Sequence, residues 1–185
     1  TLINDEVPSV RFQIARCLSL LHNVDQGTMW KVIRDCAENE VSRGVLSALF
    51  SSLFRLWSVY PIEIADVTMK IFGRISDGTG AEKVREHCLE TLLAIYIWKG
   101  NKLCQETLET IINNPENKVS DIEMIISALR DTMNGALLKA SECSDIVVNR
   151  TWGMVRQITS NLGSAFDTLS EEKNEVVHKL LRCMN

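Results

Sequence analysis

The chain has 185 residues, 45% apolar and 24% charged, and a net charge of −4. That balance describes a folded chain with enough residues for a substantial core and excludes a disordered one. It also argues against a general nucleic-acid binder, which needs clustered positive charge to displace counterions.

The charge is unevenly placed. Through Lys102 twelve basic residues face twelve acidic ones, whereas from Leu103 onward there are eight against twelve. With only 9 Gly and 3 Pro there are few breakers, which favours long helices. No run approaches the length of apolar residues that a bilayer crossing requires, and no basic, apolar leader opens the chain, so neither membrane insertion nor secretion is expected. The chain starts at Thr1 without an initiating Met, and its first helix has no partner before it. Residues 1–185 are therefore expected to be one segment of a larger protein.

Taken in order, the sequence predicts a first helix from Pro8 to Leu21, opened by Pro in the first turn, with Asp5 and Glu6 near the positive end of its dipole. Asp25 caps a second helix through Glu38, with Met29, Ile33, Cys36 and Ala37 inward. Ser42 caps a third that reaches Val59. Pro61 opens a fourth with the stripe Ile64, Val67, Ile71 and Ile75. The run from Ser76 to Gly80 is a turn, and a fifth helix follows to Trp98, closed by Lys99-Gly100. A sixth spans Asn101 to Asn113 and is stopped by the segment Asn114-Pro115-Glu116-Asn117. The run Ser120-Asp121-Ile122-Glu123 reads as a capping box for a seventh helix to Ala140. An eighth covers Ser144 to Asn161 and a ninth Ser170 to Cys183. No segment alternates with the period of a strand.

One apolar stripe recurs, with gaps of four, four and three residues: Val10, Ile14, Leu18 and Leu21, then Val45, Leu49, Leu53 and Leu56, then Val84, Cys88, Leu92 and Ile95. A weaker copy falls on Ile125, Leu129, Met133 and Ala136. Short turns make consecutive helices antiparallel, and each pair leaves an apolar face that only the next pair covers. The expected fold is all-α, an α-solenoid of about four stacked antiparallel helix pairs. The pairs would be Asp25 to Val59, Pro61 to Trp98, Asn101 to Ala140 and Ser144 to Asn185, after a half-repeat.

The run Asp5-Glu6-Val7-Pro8-Ser9-Val10-Arg11 resembles the second helix of a HEAT repeat, in which an Asp precedes a Val-Arg pair, and Val84-Arg85 repeats that pair. The resemblance implies a ladder of Asp and Arg side chains between neighbouring repeats, carried here by Asp5, Arg11 and Arg85. Departures are clear: Glu40 stands where Asp5 does but Leu46 replaces the Arg, and Ser120 and Ile126 replace both in the fourth copy. HEAT arrays serve as extended protein-binding scaffolds, as in transport receptors, phosphatase scaffolds and chromosome-organising complexes. A few bind nucleic acid, and others form the sensor arm of large bacterial defence ATPases.

No reaction chemistry is written in the chain. The cysteines Cys17, Cys36, Cys88, Cys104, Cys143 and Cys183 lie too far apart for a zinc ribbon or redox pair, and Cys17, Cys36 and Cys88 fall at apolar helical positions. That usage fits the reducing cytoplasm. His22, His87 and His178 share no ligand spacing and read as surface or helix-end polarity. The pairs Glu82/Glu86 and Glu171/Glu175 read as solvated faces. Gly73 to Gly80 follows a helix rather than a strand, which argues against a phosphate cradle. Neither a cofactor nor a metal is expected.

Trp57 and Trp98 lie near the ends of second-helix segments. They either pack between repeats or present protein-binding anchors along one edge. Arg11, Arg16, Arg34, Arg43 and Arg55 either form a basic strip or pair with neighbours such as Glu38, Asp35 and Glu40. The leading expectation is a non-enzymatic protein-binding scaffold whose partner is another protein or the rest of a larger chain. Two other readings stay open at this level: a ligand-sensing or regulatory arm of a large multidomain NTPase of the bacterial-defence type, and a HEAT-type nucleic-acid binder.

Overall fold

A computed structural model describes residues 5–75, 80–138 and 145–165, and every regular element among them is helical. The elements are α1 (Pro8–Cys17), a 3₁₀ turn (Leu18–Asn23), α2 (Gln26–Asn39), α3 (Arg43–Leu56), α4 (Pro61–Arg74), α5 (Glu82–Lys99), α6 (Lys102–Ile112), α7 (Pro115–Leu138) and α8 (Asp145–Ala165). No helix among the described residues is long and apolar enough to cross a membrane. The ninth helix expected from Ser170 and the capping role expected of Ser144 lie outside the described residues.

Local chemistry sets most boundaries. Pro8 and Pro61 occupy the first turns of α1 and α4, where a missing N–H costs nothing. Asp25 accepts from the Thr28 N–H at 2.9 Å, Ser42 from Val45, and Asn101 from Cys104 at 3.0 Å. The Thr28 bonds hold the Asp25 carboxyl below its ordinary range. Gly100, at φ +68°, ends α5 by donating to the Tyr96 carbonyl at 2.8 Å. A Cβ there would also push the Arg150 guanidinium aside, but the positive φ is what favours Gly.

Several boundaries differ from the sequence reading, among them α8, which runs four residues past Asn161 to Ala165. The first helix does not run to Leu21 but gives way at Cys17, and the cause is a hydroxyl from α3. The fully buried Ser52 Oγ donates to the Ala15 carbonyl at 2.8 Å and accepts from the Ser19 N–H at 3.3 Å. Those two groups would bond each other in an uninterrupted helix, and a side chain inserted between them turns the ladder aside. The third helix stops at Leu56, three residues short of Val59. The seventh starts at Pro115 rather than at a Ser120 cap, because Pro opens a first turn here as it does at Pro8 and Pro61. Lys118, at φ −128° and ψ 23°, then bends the chain into the long remainder of α7.

The chain divides into two compact units, Thr1–Thr91 and Leu92–Asn185, with the division inside α5. In the first, α1 packs on α3 and α2 packs on α4. The contacts between α1 and α3 keep one direction: Arg11 meets Glu40 just ahead of α3, and Ala15 meets Ser52 in its second half. They are therefore parallel. So are α2 and α4, whose starts meet through Trp30 and Tyr60 (rings edge-on at 5.3 Å) and whose ends meet where Arg74 donates to the Glu38 and Glu40 carbonyls at 2.7 and 3.0 Å. The core between them is Met29, Ile33, Leu49, Leu53, Ile64 and Ile71, all closed to solvent. All four stripe residues of α3 are buried, as are Val84 and Cys88 of α5.

In the second unit, α6, α7 and α8 pack on one another around Leu108, Ile112, Ile122, Ile125, Ile158 and Leu162. Two side chains of α8 close the ends of earlier helices. Arg150 donates to the Ile97 carbonyl of α5 at 3.0 Å, and Asn161 donates to the Ile112 carbonyl of α6 at 3.2 Å. Both supply donors to terminal carbonyls that have no intrahelical partner, and Arg150 adds a cation at the negative end of a helix dipole.

Candidate functional site

Two places in the first unit gather side chains that the core does not use. One is the junction expected to carry the ladder. Arg11 grips Glu40 through both oxygens, with Nε to Oε2 at 2.8 Å and Nη2 to Oε1 at 3.1 Å. The Ser42 N–H donates to the same carboxylate at 2.8 Å. Burial alone would raise the Glu40 pKa, but Arg11 and the backbone donors outweigh it and hold the carboxyl below its ordinary range. Hydrogen bonding to Glu40 in turn holds the Arg11 guanidinium above its own ordinary value.

Asp5 joins this junction differently from the ladder reading. Its carbonyl, not its carboxylate, accepts from Arg11 at 2.6 Å, while the carboxylate caps the Val7 N–H at 2.8 Å. The acid that Arg11 takes is Glu40, 29 residues along and one stripe copy later. Arg85 stands apart from this pair. It is 6% exposed, donates to the Ile75 carbonyl at 2.9 Å and lies 4.5 Å over the Phe72 ring.

The second place is a groove of about 320 Å³ between α3 and the start of α5. Phe50, Ser51, Phe54 and Arg55 line it from α3, and His87, Glu90 and Thr91 from α5. Its floor is Phe50 against the His87 ring, centroids 5.7 Å apart. Thr91 is buried and donates to the His87 carbonyl at 2.7 Å, and His87 Nδ1 meets Glu90 at 3.2 Å. Phe54 rises at the rim, 60% exposed. The α3 stripe explains this outward line, since Leu49, Leu53 and Leu56 turn inward and leave Ser51, Phe54 and Arg55 on the opposite side.

Sequence reading missed the groove. Phe54 lies one position off the stripe, and that offset is the available signal, whereas His87 reads in the sequence as surface or helix-end polarity. Neither Trp candidate lines the groove: Trp57 is half-buried at the end of α3, and Trp98 is 37% exposed in the second unit. Trp152 on α8 is more exposed than either. His22 bonds the Tyr60 hydroxyl at 3.1 Å, and His178 lies outside the described residues. Of the carboxylate pairs, Glu82 caps the Gly80 N–H and Glu86 pairs with Lys83, both at 2.7 Å. The other pair lies outside the described residues.

The buried thiols among the described residues are poorly placed for nucleophilic chemistry. Cys36, Cys88 and Cys104 are buried and Cys17 is exposed. Burial pushes the Cys104 thiol up to about 12, and burial together with Glu40 and Asp35 does the same for Cys36. Among the described residues no three His, Cys, Asp or Glu side chains converge as a metal site. No protein-family model, characterised protein or solved structure matches the chain.

Proposed function

We propose that this chain is a HEAT-like α-solenoid segment that works without catalysis, holding a protein partner on the helix-lined surface of α1, α3 and α5. The observation that carries the reading is a shared register. Ala15 meets Ser52, Arg43 approaches Gly80, and Phe50 meets His87, and each pair lies 37 residues apart in sequence. Contacts at this same offset recur between α1 and α3 and between α3 and the start of α5, as expected of a repeat that presents equivalent faces side by side. The Arg11–Glu40 junction supports the same reading, because it joins two successive stripe copies at equivalent ends.

A preformed surface of this kind binds through a few anchors rather than an enclosed pocket. Its groove with an exposed aromatic rim suits that role. Two measurements test the proposal. A compact globule of this length has a radius of gyration of about 16 Å, so small-angle scattering should give a clearly larger value for stacked repeats, and a value near the globular one argues against them. Panning a random peptide library against the chain should enrich binders that Phe54→Asp abolishes. A surface that enriches nothing would sink the binding reading.

A further inference from the structure

The groove also says what kind of partner it takes. Its apolar part is graded: Phe50 is 4% exposed at the floor and Phe54 60% exposed at the rim, so an apolar side chain laid between them covers aromatic carbon that this unit leaves in water. Its charged part is unequal. Glu90 is held by His87, and Glu86 on the same face of α5 is held by Lys83 at 2.7 Å. Arg55, exposed and lining the groove, has no hydrogen bond or ion pair among the described residues. The charged side chain lining the groove without a partner among the described residues is therefore a cation.

Resting on the binding reading above, we infer that this groove takes an acidic amphipathic segment of a partner protein. The segment sets an aliphatic or aromatic side chain on Phe50 beside Phe54 and a carboxylate on the Arg55 guanidinium, which presents paired donors to such a group. A single-stranded nucleic acid could place a base on Phe54 and a phosphate on Arg55. Its successive phosphates would each need a cation, and Arg55 is the one Lys or Arg among the described residues lining the groove, so a protein segment that needs a single carboxylate there is favoured.

The test uses the full chain and the peptides a random phage-displayed library yields. Selected sequences should pair an aliphatic or aromatic residue with an Asp or Glu within one helical turn. In fluorescence anisotropy, Phe54→Ala and Arg55→Glu should each weaken such a peptide on the order of tenfold. Changing the peptide acid to Lys should recover affinity on Arg55→Glu while losing it on the native chain. All the substituted positions are exposed, so thermal melts should stay unchanged. Ser51→Trp, which fills the groove from its outer wall, gives an independent loss of binding. Peptides that bind but ignore Arg55 and Ser51 overturn this inference and leave the scaffold reading standing, whereas a library that yields no binder overturns both. Tight, steeply salt-dependent binding of a thymidine oligonucleotide, or a dimer of the chain that Phe54→Ala dissolves, also overturns it.

Discussion

The first stripe, shared between α1 and the 3₁₀ turn, and the stripe of α3 have the same gaps, and the structure treats them differently. In α3 all of Val45, Leu49, Leu53 and Leu56 are buried in one unbroken helix. In the first copy Val10, Ile14 and Leu21 are half-buried, Leu18 is buried in the 3₁₀ turn, the fully closed residue of α1 is Ala15, and the helix breaks at Cys17. A stripe tells which side of a helix is apolar. How completely that side is covered depends on neighbours, and α3 has α1, α2 and α4 against it while α1 rests on α3 and the 3₁₀ turn.

The largest effect that could break this comparison is at the stripe itself. Leu53→Asp puts an unpaired charge where no water reaches, and should cost on the order of 4–5 kcal/mol, enough to unfold a marginal domain. Ile14→Asp, at the matching place in α1, leaves the carboxylate a path to solvent and should cost roughly half as much. Equal losses of midpoint in denaturant melts would mean that the two stripes are covered alike.

The junction of the two helices comes next. Glu40→Gln removes the charge that Arg11 and the Ser42 N–H hold, and should cost roughly 1–2 kcal/mol near neutral pH after allowing for solvent around Arg11. The folded-state pKa of Glu40 lies below the ordinary 4.5, so its stabilisation is complete above that value and is lost as pH falls through the folded pKa. Arg11, its own pKa raised, stays charged throughout. The gap between native and Glu40→Gln proteins should therefore narrow as melts are taken from neutral pH to about pH 3. A gap of constant size would show that the pair does not join α1 to α3.

Most of the helical content was legible because it is local: Pro8, Pro61, Asp25, Ser42, Asn101 and Gly100 each fix a terminus through their own backbone neighbourhood. Burial along α3 and α5 was legible because period and apolarity coincide there. What could not be read depends on residues far apart in sequence. Ser52 sits among apolar neighbours and gives no local sign that it reaches Ala15, 37 residues back. Glu40 occupies the acidic position of its copy, yet only packing decides that Arg11 takes its carboxylate and Asp5 supplies a carbonyl. The groove shows the same limit, since Phe54 looks like any off-stripe apolar residue until His87 is brought beside Phe50.

Ser52→Ala probes the break in α1 directly. Removing the hydroxyl deprives the Ala15 carbonyl and Ser19 N–H of their partner, but these two groups are four residues apart and can bond each other as in any helix. The net cost should accordingly be small, about 1 kcal/mol. The more telling readout is local: backbone chemical shifts over Leu18–Leu21 should move toward α-helical values, and protection of the Ser19 amide from exchange should persist. Unchanged shifts would mean that the break has another cause and that the difference between α1 and α3 lies in coverage alone. Glu63→Asp sets the floor for all these comparisons. It keeps an exposed negative charge in the first turn of α4, near the positive end of its dipole, and should stay within about 0.5 kcal/mol of the native protein. If Ser52→Ala costs no more than that and leaves the shifts in place, the buried hydroxyl is not what turns α1 aside.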